Sequence, residues 1–211
     1  LDGSSAASDV YKRQLENLFD TINDTSKRDE ASPIMEMKYN RSEVYNKKIK
    51  NLSKVISGIG FEETKTLPTI VGLCEVENKN VVEDLINSDL LKNANYGISH
   101  FDSPDERGID VALIYRKNMF KVLNENSAYL ELKYASGKIN YTRDQLVVEG
   151  VLENEKIYII VNHWPSRSGG ELGSRPYRNK AAELNMFIID SIQSINKNAK
   201  IITMGDFNDD P

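Results

Sequence analysis

Gly205-Asp206-Phe207-Asn208 follows the apolar run Ile201-Ile202-Thr203-Met204, so a strand-like segment ends in a carboxylate and an amide two positions apart. Positions i and i+2 share one face of an extended chain, and Asp206 and Asn208 can address one reacting centre once other elements bring the remaining groups to it. Two further strand ends carry complementary chemistry. Glu75 and Glu77 close the apolar stretch Thr69 to Cys74, separated by Val76. Such hard oxygen donors suit Mg²⁺, which prefers octahedral oxygen coordination and keeps some of its waters. Glu75 is the metal-ligand candidate; Glu77 is weaker, because Glu77 to Asn80 can instead cap the helix that follows. His163 is one of two histidines and ends the buried pattern Ile159-Ile160-Val161-Asn162. An imidazole there can donate to a phosphate oxygen and stabilise charge that develops on it, while the loop SRSGGELGSRPYR beyond bends around a substrate. His100, inside Gly97-Ile98-Ser99-His100-Phe101, reads equally as packing or as a substrate contact. The charged turn Asp102 to Asp110 is either an ordinary glycine turn or a place where Arg107 meets a phosphate with Asp110 bracing it. Arg143, in Tyr141-Thr142-Arg143-Asp144, offers the planar donor fork that clamps an oxyanion.

These groups need a scaffold that brings strand ends together. Thr21 to Lys38 reads as a loop. Val44, Ile49, Leu52, Val55, Ile56 and Ile59 recur at helical spacing, with Gly58 and Gly60 near the stop, and predict a one-sided helix of about five turns. A strand over 69–75, a helix over 78–91, and strands over 96–101 and 109–116 follow. Residues 145–152 and 156–162 predict a strand pair around Glu153-Asn154-Glu155. Pro176 is expected to open a helix running to Asn196, with Ala181, Leu184, Ile188, Ile192 and Ile195 facing inward. The last buried strand is 201–204. Paired strands with separate helices predict a layered α/β sandwich, two facing mixed sheets with helices outside. A doubly wound parallel sheet is the rival, and the strand pair at 145–162 argues against it.

The chain's 211 residues, 39% of them apolar, suffice for one large core, and one domain is expected over 15–211. Residues 1–14, small and polar with a short basic patch, read as a disordered leader or non-native scar, so that a first strand is expected to be absent or incomplete. Lys and Arg number 27 against 32 Asp and Glu, and the net charge of −5 gives no general pull toward a polyanion. A local basic rim or a metal ion must supply it. The single cysteine, Cys74, excludes an internal disulfide and reads as a small buried hydrophobe. No stretch is apolar for the roughly eighteen residues that a membrane helix requires.

Together, GLCEVEN at 72–78, DSPDERGIDVALIYR at 102–116, NHWPSR at 162–167 and GDFND at 205–209 resemble the endonuclease/exonuclease/phosphatase superfamily. Its relatives include deoxyribonuclease I, apurinic endonucleases, sphingomyelinases and inositol-polyphosphate phosphatases. The resemblance runs from about Glu16 to Pro211 and implies an incomplete deoxyribonuclease I-like fold. It implies Glu75 as the metal ligand for Mg²⁺, with Mn²⁺ the alternative, and His163 as the phosphate-contacting histidine. Asp206 is then the residue that positions and activates water, and Asn208 the amide on the scissile phosphate. Arg107, Arg143, Asn162 and Arg167 are expected on substrate phosphates, with Asp110 in support. Two departures stand out: Gln14 or its neighbours occupy the place of the family's metal-side asparagine, and the family's late Asp-His pair would fall beyond Pro211. The 211-residue chain is therefore expected to be a poor or inactive hydrolase. The implied activity is metal-assisted phosphodiester hydrolysis, with DNA or RNA as substrate. Inositol phosphates or phospholipid headgroups are the alternative substrates, and a non-catalytic binding module the alternative of another class.

Overall fold

The computed structural model describes residues 10–209, and two four-stranded sheets pack face to face within them. The first sheet has the order β1-β2-β4-β3, formed by β1 (Val10–Leu18), β2 (Ile70–Val76), β3 (Tyr96–His100) and β4 (Asp110–Arg116). The second has the order β5-β6-β7-β8, formed by β5 (Phe120–Ala128), β6 (Gln145–Leu152), β7 (Glu155–His163) and β8 (Lys200–Asp206). Both are mixed: β1 and β2 run parallel, as do β7 and β8, and the other neighbours are antiparallel. Four helices, α1 (Arg41–Gly58), α2 (Phe61–Thr64), α3 (Lys79–Ile86) and α4 (Glu171–Ile195), complete the layered α/β sandwich expected from the strand and helix patterns.

Strand alternation builds the layers. Ile70 and Cys74 on β2 and Val111 and Leu113 on β4 face Leu146, Val148, Ile157, Ile159, Val161 and Met204 across the gap between the sheets. The intervening Val71, Leu73, Ala112 and Ile114 turn the other way and pack beneath Ile49, Leu52 and Ile56 of α1 and Val82 and Leu85 of α3. Each fully buried side chain of this kind contributes about 1.5–3 kcal/mol. On α1, Val44 and Val55 lie on the exposed side, and Tyr45 and Ser53 occupy the inner face instead. On α4 the buried stripe is Ser174, Arg178, Ala181, Asn185 and Ile188, whereas Ile195, expected inward, is 88% exposed.

Several boundaries differ from the sequence reading; the helix expected over 78–91 ends at Ile86. The break expected after Gln14 falls inside β1, which pairs with β2 from Val10 onward; the leader reading of residues 1–9 lies outside the described residues. Helix α4 begins at Glu171 after Gly169 and Gly170, so Pro176 sits inside it rather than opening it. β5 occupies a stretch for which no element was expected.

One contact in the strand pairing fixes a glycine. Asn162 and Gly205 are register partners on β7 and β8, and a Cβ on Gly205, at φ +139°, would lie 1.9 Å from the Asn162 carbonyl oxygen. Gly205→Ala should therefore lower unfolding stability by about 1–3 kcal/mol or more, measured by urea titration. Stability equal to that of the parent chain would show that the two strands can separate at no cost.

Candidate active site

Glu75 owes its direction to a bulge. Cys74 pairs with Val111 and Val76 with Asp110, so Glu75 is the extra residue of the register shift, and its φ is +66°. The neighbouring strand is irregular at the same level, with Glu16 and Asn17 at φ 52° and 58°. Simple alternation would have sent Glu75 under the helices with Val71 and Leu73; the extra residue re-aims it. The Asn17 N–H donates to Glu75 Oε2 at 2.8 Å and fixes the carboxylate. From α1, Lys48 donates to the carbonyl oxygens of Glu16 and Asn17, and burial holds its ammonium below the usual lysine range against the opposing pull of Glu16 and Glu75.

His163 and Asp206 arrive by strand parity. His163 follows Ile157, Ile159 and Val161, and Asp206 follows Ile202 and Met204, so both emerge at the rim of the space between the sheets. They are register partners in the parallel pair, about 4.8 Å apart as neighbouring strands are. His163 Nε2 lies 3.9 Å from Glu75 Oε1, which joins the two sheets at one point. Asn208, at φ +50°, turns the chain so that its N–H donates to Asp206 Oδ1 at 3.0 Å. Its side-chain amide donates to the Trp164 carbonyl at 2.8 Å, and the Trp164 N–H donates to the Asp206 carbonyl at 2.8 Å. The Trp164 ring meets Phe207 edge-on, with centroids 4.8 Å apart. Glu75, His163, Asp206 and Asn208 thus gather at one mouth, as their positions at strand ends led us to expect.

The expected phosphate contacts divide. Arg107 is exposed on the rim, but Asp105 rather than Asp110 braces it, at 3.2 and 3.3 Å. Asp110 instead closes its own turn, accepting from the Ser103 N–H at 2.9 Å and lying 3.3 Å from His100 Nε2. Arg143 is buried, donating to Asp105 at 3.3 Å and to the Trp164 carbonyl at 2.7 Å. Burial lowers its proton affinity and the Asp105 charge opposes that shift. Its reach toward Asn208 therefore runs through the Trp164 carbonyl. Asn162, expected on a substrate phosphate, is instead fully buried, accepting from Trp164 Nε1 and Asn185 and donating to Thr203 and to the Met204 carbonyl. Its position in β7 turns it away from the rim, toward α4. Arg167 donates to the Asn208 carbonyl at 3.1 Å and pairs with Glu171 and Asp209 at 3.2 Å. Cys74 is buried, as expected, its thiol donating to the Asn162 carbonyl.

Several residues take roles that the sequence pattern did not assign to them. Asp105 links Arg107 to Arg143, and Arg178, 1% exposed, ties Asp209 to Glu171 and Ser174 at the root of the loop. The spacing of Ser174, Arg178, Ala181, Asn185 and Ile188 is the readable signal, a helical stripe with polar members. Glu77 is buried and accepts from the Asp20 N–H at 2.6 Å; Asn78 caps α3 in its place. Burial, with added repulsion from Asp20, Asp29 and Asp24, raises the Glu77 carboxyl to about 7. A second acid-rich cluster lies beside it, where His100, Asp102 and Asp110 each bring a ligand atom within 4.8 Å of the others.

The sequence matches the endonuclease/exonuclease/phosphatase family over residues 9–211. The chain belongs to that family. It is of a hydrolase lineage, and the deoxyribonuclease I-like architecture is the one described above. TDP2 from Caenorhabditis elegans superposes with a TM-score of 0.58 at 18% identity, over 87% of this chain and 46% of that one. ANGEL2, a 2′,3′-cyclic phosphatase, gives 0.58 at 16% identity, over 96% and 52% of the two chains. TDP2 from D. rerio, complexed with a single-strand DNA product, gives 0.52 at 16% identity, over 77% and 56%. The chain spans about half the length of these solved structures. No curated protein matches it. Among the described residues, no helix is long and apolar enough to cross a membrane.

Proposed function

We propose that the chain is a metal-dependent phosphoester hydrolase that acts on nucleic-acid phosphodiesters. The observation that carries this reading is the meeting of Glu75 and His163 from opposite sheets, 3.9 Å apart, beside Asp206. The carboxylates at this mouth are hard oxygen donors and fit a small divalent cation that retains water. Held by Glu75, Mg²⁺ or Mn²⁺ would polarise a nonbridging phosphoryl oxygen.

The side chains divide the remaining work. Asp206 uses Oδ1 to accept from Asn208 and has Oδ2 with which to orient the attacking water and take its proton. His163 donates to a nonbridging oxygen as charge grows on it. Asn208 has two amide hydrogens, and with one on the Trp164 carbonyl the other meets the phosphate. Arg143 positions this pair by holding the same carbonyl from behind.

The adjoining cleft favours a nucleic-acid strand. Its volume is about 400 Å³, and its walls include Arg28, Arg107, Tyr134, Tyr141 and Tyr177. Arginines on the rim meet phosphates, and the exposed Tyr134 and Tyr141 stack on bases without regard to sequence. The single-strand DNA product bound to the D. rerio TDP2 supports the same class. The test is cleavage with Mg²⁺ of single-stranded DNA, single-stranded RNA, an inositol polyphosphate and sphingomyelin. An oligonucleotide should be cleaved fastest, and Arg107→Ala should raise KM about tenfold with little change in kcat. Preference for either small headgroup substrate would overturn the substrate class. Absence of metal-dependent cleavage of all four would leave a non-catalytic binding module.

A further inference from the structure

We propose that the pocket between the 22–29 loop and the 102–110 turn binds a divalent cation of the calcium type, separate from the Glu75 site. The pocket holds about 200 Å³, and Asp24, Asp29, Glu77, Asp102 and Asp110 line it together with Asn78. Lys27 is the one cationic residue in this lining, and its ammonium is directed at the Ser103 and Asp105 carbonyl oxygens, at 2.8 and 3.2 Å. Five carboxylates thus share this lining with one lysine, whose ammonium is bonded to backbone carbonyls.

Two buried atoms point to a ligand independently of that charge. Asp29 is 1% exposed; its Oδ2 accepts from the Asp24 N–H at 2.7 Å, but its buried Oδ1 has no hydrogen-bond partner. A buried carboxylate oxygen without a donor is costly, and a cation satisfies it. The second atom is His100 Nε2, buried and without a hydrogen bond, 3.3 Å from Asp110 Oδ2. His100, Asp102 and Asp110 bring their ligand atoms within 4.8 Å of one another, the span that two bonds of about 2.4 Å cover from a shared ion. Several carboxylates drawn from separate segments suit Ca²⁺, which accepts 6–8 ligands in irregular geometry, better than Mg²⁺, which demands a near-ideal octahedron.

The ion would staple two segments that already touch through the Arg28 N–H and the Glu106 carbonyl, at 2.7 Å. The stapled turn carries Asp105 and Arg107, so the site sets the rim of the cleft. Glu75, His163 and Asp206 do not line this pocket, and the inference stands apart from the catalytic reading.

The chain's two histidines make the test direct, because His100 reports this pocket and His163 the other site. The imidazole Cε1–H resonances, assigned by single histidine substitutions, are followed as CaCl₂ is added to the EDTA-treated 211-residue chain. Ca²⁺ should shift the His100 resonance saturably and leave that of His163 in place. Asp29→Asn and Asp102→Asn should each weaken binding about tenfold or more, and Glu75→Gln should leave it unchanged. Asp102 is exposed, so its substitution spares the core, and a cooperative melt in EDTA confirms that each variant is folded. Three outcomes would overturn the site: no His100 response to millimolar Ca²⁺ in the folded chain, a response lost with Glu75→Gln but kept with Asp102→Asn, or tighter binding of Mg²⁺ than of Ca²⁺.

Discussion

Asp206→Asn should lower the rate of phosphodiester cleavage about 10²- to 10⁴-fold while the protein stays folded. The substitution keeps the volume of the side chain and keeps an oxygen to accept from the Asn208 N–H, so the turn into Asn208 survives. What disappears is the negative charge that takes a proton from water. The strand beneath is untouched, because β8 is held to β7 by backbone pairing from Ile157↔Lys200 to His163↔Asp206. The loss should therefore fall on kcat with KM little changed, since an interaction made mainly in the transition state is removed. Single-turnover kinetics with the chain in excess over a labelled oligonucleotide gives the ratio directly. A rate within about threefold of the parent would remove Asp206 from the chemistry, and a collapsed melting transition would make it a structural residue instead.

The candidate site was legible where the chain spends rare or charged residues at the ends of apolar runs. Glu75 and His163 each stop a buried strand, and Asp206 stops an edge strand that is only half-buried, where a last buried strand was expected. Such strand ends are where a sandwich opens to solvent. What the pattern could not reveal was the bulge, because an alternating strand and a bulged one read alike until the partner's register is known. Asn162 was misplaced for a related reason: next to His163 in sequence, it lies on the opposite face of β7, buried under α4. β5 escaped because it is an edge strand whose middle, Leu123 to Asn126, faces water on both sides of the pleat and carries no apolar alternation. The first strand was hidden by the same circumstance. Val10 to Gln14 is largely polar and charged, and a strand paired on one side alone needs little apolar signal. Arg143 reads as an oxyanion clamp, although it is buried on a carboxylate supplied by a distant segment, Asp105, as Arg178 is on Asp209.

Glu75→Gln should weaken the apparent affinity for Mg²⁺ about a hundredfold or more and lower cleavage at fixed metal, again with little loss of folding. The amide retains an oxygen to accept from the Asn17 N–H, so the bulge and the irregular end of β1 keep their tie. It loses the charge that draws a hard cation to a mouth where His163 stands 3.9 Å away. Glu77→Gln is the matched control: it lies two residues on, but it is buried against the Asp20 N–H, outside the mouth. The deciding measurement is the Mg²⁺ titration of single-turnover phosphodiester cleavage by the parent chain, Glu75→Gln and Glu77→Gln at matched folded concentration. A saturable metal dependence in the parent that EDTA abolishes, displaced to much higher Mg²⁺ in Glu75→Gln and nearly unmoved in Glu77→Gln, is the expected result. Cleavage that persists in EDTA, or the same Mg²⁺ midpoint in Glu75→Gln as in the parent, would contradict a metal-dependent hydrolase centred on Glu75.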